Sequence, residues 1–187
     1  SIIDFYYSKS MDRLMDANNY IAFVRGNHDD PWFFDGEHVG YEHFRAVPDY
    51  SLLTACWHHI LCVGGAVSID RDQRTVGKDW WEDEKPVFMP ERISAICSEG
   101  YRIDVVVTHT APSFCEFTNP SGVVDSEGLL ADMQEERRVM DAILATLAAN
   151  FLPPRHWFYG HFHHSWNAHI NGTDYTMLGI MEMKELR

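Results

Sequence analysis

The sequence predicts a layered α/β fold whose sheet is mixed. Four short apolar runs are typical of strands and two more form the arms of a hairpin: residues 20–24, 60–69, 103–109, 156–161, 166–170 and 174–180. An amphipathic helix over residues 127–151 separates the third run from the fourth. Strands that alternate with helices and close in a hairpin indicate layers of sheet and helix around one core.

The details of these elements follow from periodicity and from breaking residues. The long helix has one apolar face, formed by Leu129, Met133, Met140, Leu144, Leu147 and Phe151. Its charged residues are expected to lie largely on other faces: Glu135, Glu136, Arg138 and Asp141. A shorter helix is expected over residues 9–18, Gly64-Gly65 interrupts the second strand, and Asn171-Gly172 predicts a tight hairpin turn. The unbroken apolar run at 103–109 predicts a strand buried on both faces.

Composition limits the possible function classes. The chain of 187 residues suits one domain, residues 1–187, and its net charge is −13. A broad nucleic-acid surface needs clustered Lys and Arg, so this acidic charge argues against one. No apolar run reaches the length of a membrane-spanning helix. Four cysteines without a CxxC pair favour reduced thiols, and we therefore expect a cytoplasmic protein without a membrane partner.

Three motifs with metal-binding residue types follow three of the predicted strands. They are Arg25-Gly26-Asn27-His28-Asp29 after the first strand, His109 at the end of the third, and Gly160-His161-Phe162-His163 after the fourth. In α/β folds, ligands gather at the carboxyl ends of strands, so we expect Asn27, His109 and His161 to meet. Imidazole and amide oxygen suit Mn, Fe, Zn or Ni better than Ca or Mg.

Taken together, these motifs resemble those of the calcineurin-like metallophosphoesterases, in particular bacterial and phage-type stand-alone members. The family's later motifs read GNH(D/E), a strand-end His and GHxH, and softer likeness lies in VPDYS, CVGGAVSIDR, DWWEDE and THTAP. The resemblance implies an α/β/β/α sandwich with two divalent metals that hydrolyse a phosphomonoester or phosphodiester substrate. It makes Asn27, His109 and His161 ligands of one metal and His163 a ligand of the other. It leaves His28 unligated, donating a proton or hydrogen bond to the leaving oxygen.

Two earlier motifs of that family are missing from the sequence. They are an Asp-x-His and a Gly-Asp-x-x-Asp, whereas this sequence has no Gly-Asp pair and Asp4 lacks both partners. We therefore expect an amino-terminally truncated domain with one tightly held metal and impaired activity. The sheet edge beside residues 20–24 would be left open, and residues 1–8 or a second copy of the chain in a homodimer would cover it.

Several assignments stay open at this point. Arg74 and Glu116 are candidate substrate-binding residues, although Arg74 is as well suited to a salt bridge with Asp70 or Asp72. The motifs are shared by protein phosphatases, nucleotide phosphatases and diesterases, so the substrate is not defined. A non-catalytic binding or scaffold protein with a degenerate phosphoesterase fold is the main alternative, and a single-metal hydrolase is the second.

Overall fold

A six-stranded mixed sheet is the main element of the computed structural model, which describes residues 18–39, 42–115, 128–150 and 153–186. Its strands are β3 (Ser51–Ala55), β4 (His58–Val63), β5 (Val105–Thr108), β6 (His156–Tyr159), β7 (Trp166–Ile170) and β8 (Thr173–Met177). They lie in the order β3-β4-β5-β6-β8-β7. Strands β1 (Ile21–Phe23) and β2 (Phe44–Ala46) form a separate parallel pair. The predicted α/β class with a mixed sheet is confirmed.

The direction of the strands places two of the three motifs, those after β5 and β6, at one edge of the large sheet. Strands β4, β5, β6 and β8 run parallel, while the outer strands β3 and β7 pair antiparallel with their neighbours. The carboxyl ends of the parallel strands therefore meet at one edge, as ligand-binding α/β sheets require. The loops that follow β4, β5 and β6 all leave from this edge.

Two helices pack against the sheet and supply the main core. They are α1 (Pro90–Ser98) and α2 (Leu129–Asn150), and short 3₁₀ helices lie at Pro31–Phe34 and Arg71–Gln73. Ile93 of α1 and Met140 of α2 share one buried cluster with Val106 and Trp157 of the sheet. Pro90 suits the first turn of α1, because its fixed φ matches a helix start. None of the helices in the described ranges is long and apolar enough to cross a membrane.

The predicted elements hold with local corrections. The predicted strand over residues 60–69 is wrong beyond Val63, since the chain leaves the sheet at the Gly-Gly pair and continues as a loop. The hairpin is confirmed, with Asn171 at φ +50 and Gly172 at φ +85 as a tight turn of the primed type requires. Strand β5 is buried as predicted. Strands β2 and β3 and helix α1 were not predicted.

The open-edge prediction concerns the strand pair β1–β2. Strand β1 pairs in parallel with β2 along one side, through residues 21–23 and 44–46. The proposed covering segment, residues 1–8, and most of the predicted helix 9–18 lie outside the described residues. The homodimer and the covered edge therefore stay predictions, and the oligomeric state in solution tests the first of them.

Helix α2 carries a buried carboxylate that the periodicity did not predict. Glu136 is 3% exposed, so its assignment away from the buried face was wrong. The backbone N–H of Val67 donates to its Oε2 at 2.6 Å, and the hydroxyl of Thr110 donates to its Oε1 at 3.1 Å. Burial raises the pKa of this carboxyl to about 7 despite the two hydrogen bonds, which act to lower it. Glu136 thus ties α2 to the loops after β4 and β5.

We expect Glu136→Gln to stabilise the protein in a pH-dependent way. The unfolded chain releases this proton near pH 4.5 and the folded chain near 7, so the folded state loses stability as the pH rises across that window. Glutamine cannot ionise, and it can still accept from Val67 and donate to the Thr110 hydroxyl. Denaturant unfolding should show a gain over the native chain that is near zero at pH 4.5 and grows to about 3 kcal/mol at pH 8.

The matched control for this prediction is Glu135→Gln. Glu135 is its neighbour on the helix, is exposed, and pairs with exposed Arg138 in a contact of 3.2 Å. Its replacement should change the free energy of unfolding by about 0.5 kcal/mol or less at either pH. Parallel pH curves for the native chain and Glu136→Gln would contradict the buried, high-pKa carboxyl.

Candidate metal centre

The first motif forms a closed turn directly after β1. The N–H of Gly26 donates to Oδ2 of Asp29 at 2.8 Å, so the last residue of the motif fastens the turn. A Cβ at position 26 would lie 3.3 Å from Cε1 of His109, closer than most side-chain contacts. The glycine therefore allows the turn to approach the end of β5, which is where the candidate ligands meet.

Arg25 anchors this turn to the rest of the fold. Its guanidinium is buried and donates to the carbonyl of Glu84 at 2.8 Å and to Oδ2 of Asp49 at 3.1 Å. Its own carbonyl accepts from the N–H of Gly65 at 2.8 Å. A Cβ on Gly64 would come within 2.7 Å of Arg25, so the pair of glycines after β4 makes room for the motif. Long-range contacts, rather than β1 alone, thus set the position of Asn27.

The predicted convergence of the three loops is present in the structure. Oδ1 of Asn27 lies 3.0 Å from Nε2 of His109, and the rings of His109 and His161 are 5.0 Å apart between centroids. Asn27 is 6% exposed. A separation of 3.0 Å suits two adjacent ligand atoms that each lie about 2.1 Å from one ion. The amide oxygen and the two imidazoles therefore fit a site for one divalent metal.

The last motif curves through an unusual backbone. His161 has φ +66 and His163 has φ +62, both in the left-handed region that non-glycine residues rarely adopt. The N–H of Gly160 donates to the carbonyl of His109 at 3.2 Å, which joins this loop to the end of β5. Strain of this kind persists where the surrounding structure fixes it, and it often marks functional sites. His163 is exposed at the rim, whereas His161 points inward beside His109.

The partly buried imidazoles of His109 and His161 are held in the neutral form. Burial, followed by the nearby ring of His161, lowers the pKa of His109 well below its usual value. Burial, followed by His163, lowers the pKa of His161 to about 4. A histidine binds a metal through an unprotonated ring nitrogen, so neutral rings at pH 7 are the form that ligation needs.

His28 and Arg74 line a cavity beside these residues. The cavity has a volume of about 530 Å³ and is also lined by His161, His163 and Phe162. Nη2 of Arg74 lies 3.3 Å from Nε2 of His28. Partial burial, followed by the charge of Arg74, lowers the pKa of His28. His28 and Arg74 thus lie next to the candidate ligands, and their roles stay predictions. Glu116 lies outside the described residues.

The salt-bridge alternative for Arg74 is confirmed with Asp70, and its substrate-binding role stays a prediction. Its Nε donates to Oδ1 of Asp70 at 2.6 Å, and Nη2 donates to the second oxygen of the same carboxylate. The salt bridge does not remove the guanidinium from the cavity, because Arg74 and Asp70 both line it. The Asp70 carboxylate therefore holds the Arg74 fork in a fixed orientation.

Comparison with known proteins agrees with these motifs. A family model described as calcineurin-like phosphoesterase matches residues 3–165. The chain belongs to this family. The members of this family are phosphoester hydrolases that generally use divalent metals. A search of curated proteins found no match.

Among solved structures, one similar chain is a Staphylococcus aureus protein assigned as a 5'-nucleotidase in complex with alpha-ketoglutarate. The identity is 14% and the TM-score 0.42, and the match covers 94% of this chain. It covers 36% of that chain, so the present chain spans about a third of the length of the similar structure.

Two further histidines, His169 and His59, lie outside the centre. Nδ1 of His169 lies 2.6 Å from Asp174, and Nδ1 of His59 lies 3.1 Å from the carbonyl of Arg102. Both rings are engaged in hydrogen bonds away from the candidate ligands. Within the described residues, no group of three or more His, Cys, Asp or Glu side chains is arranged to hold a metal. The candidate site thus depends on the amide oxygen of Asn27.

The sequence analysis missed two residues near Asn27: Ser68, which is hydrogen-bonded to it, and Glu84, which is hydrogen-bonded to Ser68. Nδ2 of Asn27 donates to Oγ of Ser68 at 2.9 Å, and Oγ of Ser68 donates to Oε2 of Glu84 at 2.6 Å. Both residues are buried, at 0% and 2% exposure. The only sequence signal was their place inside two phrases of the family resemblance, CVGGAVSIDR and DWWEDE.

Proposed function

We propose that this chain hydrolyses phosphate esters at a divalent metal held by Asn27, His109 and His161. The observation that carries the proposal is the meeting of Oδ1 of Asn27 and Nε2 of His109 at 3.0 Å beside the His161 ring. The three residues come from three separate loops, and their side chains lie side by side. Three protein ligands with room for water are typical of catalytic, rather than structural, metal sites.

The ligand set indicates which metals suit the centre and how many it holds. One amide oxygen and two imidazoles favour Mn, Fe, Zn or Ni. When bound there, such an ion polarises a phosphoryl oxygen and acidifies a water for attack. His163 is the proposed ligand of a second ion, and a single exposed imidazole would hold that ion weakly. We therefore expect one tightly bound ion and lower activity than a two-metal enzyme.

His28 is placed to assist the leaving group. It lines the cavity beside His161, and its lowered pKa keeps the ring neutral at pH 7. A neutral imidazole still carries one N–H, so His28 can donate a hydrogen bond to the departing oxygen. This role needs no metal bond to His28, which agrees with its position at the exposed rim.

Arg74 is the proposed phosphate-binding residue. Its guanidinium lies beside His28 and is oriented by Asp70. Nη1 of Arg74 donates one N–H to the carbonyl of Asp79 at 3.3 Å, and we assign its second N–H to a phosphate oxygen. The apolar side chains of Met133 and Phe162 form another part of the cavity wall and would contact the organic part of the ester.

A panel of two model esters tests the proposed function. The purified chain is incubated with p-nitrophenyl phosphate, a monoester, and with bis-p-nitrophenyl phosphate, a diester, with Mn²⁺ or with a chelator. We expect slow, metal-dependent release of nitrophenol from at least one of them, and the preferred ester defines the substrate class. Stoichiometric Mn²⁺ binding without turnover of either ester would favour the non-catalytic alternative.

We expect His28→Ala to lower turnover without lowering metal content. Removing a hydrogen-bond donor to the leaving oxygen should reduce kcat on the better ester by about 100-fold. Bound Mn²⁺ per chain, measured by elemental analysis after dialysis, should stay as in the native chain. His59→Ala is the control, because that ring is bonded to the Arg102 carbonyl outside the centre. Loss of metal from His28→Ala would make His28 a ligand instead.

A further inference from the structure

A buried chain of hydrogen bonds leads away from the candidate metal centre. Glu84 accepts two hydrogen bonds from Ser68. The backbone N–H of Ser68 donates to Oε1 at 2.7 Å, and the Ser68 hydroxyl donates to Oε2 at 2.6 Å. The Ser68 hydroxyl oxygen accepts in turn from Nδ2 of Asn27 at 2.9 Å. Oδ1 of the same amide then faces Nε2 of His109. These hydrogen bonds thus connect the Glu84 carboxylate to the proposed metal-binding oxygen of Asn27.

The direction of each bond in this chain follows from the chemistry of Glu84. A carboxylate can only accept hydrogen bonds, so the Ser68 hydroxyl points its proton at Glu84. The hydroxyl oxygen is then left to accept a hydrogen bond from another group. That acceptor pairs with the NH₂ end of the Asn27 amide. The oxygen end is therefore turned toward His109. A flipped amide would place two donors at the metal position, where a cation needs an oxygen.

We propose that Glu84, acting through Ser68, fixes the Asn27 amide with its oxygen toward His109 and the metal position. Glu84 and Ser68 are then positioning residues of the centre, and the inference rests on the proposed function of Asn27 as a ligand. The backbone at Glu84 is held in place, because its main-chain carbonyl accepts a hydrogen bond from the buried guanidinium of Arg25 at 2.8 Å. Replacing a residue that orients a metal ligand through hydrogen bonds typically changes metal affinity 10- to 100-fold.

The substitution Glu84→Gln reverses the donor and acceptor roles in this series of hydrogen bonds without changing the shape of the side chain. The carbonyl of glutamine keeps the bond from the N–H of Ser68, so its NH₂ group faces the Ser68 hydroxyl. The hydroxyl proton then turns toward Asn27, where it meets a donor. The Asn27 amide relieves this conflict by flipping, which takes its oxygen away from the metal position.

Two measurements follow this change. Isothermal titration with Mn²⁺ should show at least a 10-fold weaker Kd for Glu84→Gln. In the metal-free chain, the ¹⁵N chemical shift of the His109 ring should also change. Nε2 carries a proton when it faces the Asn27 oxygen, and it is unprotonated when it faces the NH₂ group. This second measurement needs neither metal nor turnover.

The controls separate a reversed hydrogen bond from general damage. Glu82→Gln changes an exposed glutamate of the same segment and should leave the Kd and the His109 shift unchanged. Without the Ser68 hydroxyl there is no proton to redirect, so Ser68→Ala/Glu84→Gln should bind Mn²⁺ within about twofold of Ser68→Ala. Should Glu84→Gln not fold, Ser68→Ala carries the test, since it should weaken Mn²⁺ binding several-fold and give mixed His109 tautomers.

The outcomes distinguish this inference from the proposed function. If the native chain binds Mn²⁺ and Glu84→Gln binds it equally with an unchanged His109 shift, only the positioning role is wrong. If no chain binds Mn²⁺ but the shift changes in Glu84→Gln, the orienting role stands and the proposed metal centre fails. If neither Mn²⁺ binding nor the change of shift occurs, both are overturned.

Discussion

His161→Ala is expected to abolish tight Mn²⁺ binding. It removes one of the three protein ligands proposed for this ion. Among the described side chains that line the cavity, none could take the place of this partly buried, neutral imidazole. We expect the Kd for Mn²⁺ to rise by at least 100-fold, or about 2.8 kcal/mol, in isothermal titration. Hydrolysis of model esters should fall to the level seen with a chelator.

His164→Ala is the matched control for this loss. His164 lies in the same loop and lines the same cavity, but its Nδ1 lies 3.1 Å from the carbonyl of Phe162. Its replacement should change the Kd for Mn²⁺ by less than about threefold. Equal loss in both variants would mean that the loop, rather than the His161 imidazole, determines binding.

Gly65→Ala is expected to destabilise the whole fold. A Cβ at this position would lie 2.4 Å from the carbonyl oxygen of Glu84, and the residue has φ +86. Left-handed strain costs about 1–3 kcal/mol and forced overpacking about the same again. We expect a loss of about 3 kcal/mol or more, seen as a fall in Tm of roughly 6–12 °C. Mn²⁺ affinity should fall too, because Gly65 holds the carbonyl of Arg25 next to the Asn27 turn.

Gly77→Ala separates the two contributions to that cost. Gly77 has φ +74, but a Cβ there would meet nothing within 4 Å. It should therefore show only the backbone strain, about 1 kcal/mol, and leave Mn²⁺ binding unchanged. If Gly65→Ala were no more destabilising than Gly77→Ala, the close packing of the Gly-Gly pair against residues 25 and 84 would be wrong.

The candidate ligands could be predicted because each follows an apolar strand in the sequence. Strands β5 and β6 are parallel neighbours, so their carboxyl ends bring His109 and His161 together. Asn27 follows β1, which lies outside this sheet, and the contacts of Arg25 with distant residues set its position. The hairpin could be predicted from a local signal, since Asn171-Gly172 is a turn signal that acts within four residues.

The parts that could not be predicted depend on contacts between distant residues. Glu136 lies at a helical position that looks polar, and its burial is decided by donors from the loops after β4 and β5. The bond between Ser68 and Asn27 joins loops that follow different strands, and no spacing rule signals it. Strand β3 and helix α1 are short elements whose position is set by packing against β4 and α2.

Anomalous diffraction from crystals of the purified chain grown with Mn²⁺ tests the central claim most directly. Data collected at the manganese absorption edge locate the ion without assumptions about its ligands. We predict one strong peak within bonding distance, about 2.0–2.3 Å, of Oδ1 of Asn27, Nε2 of His109 and the His161 ring. No peak at these three residues, or a stronger peak elsewhere in the molecule, would contradict the account.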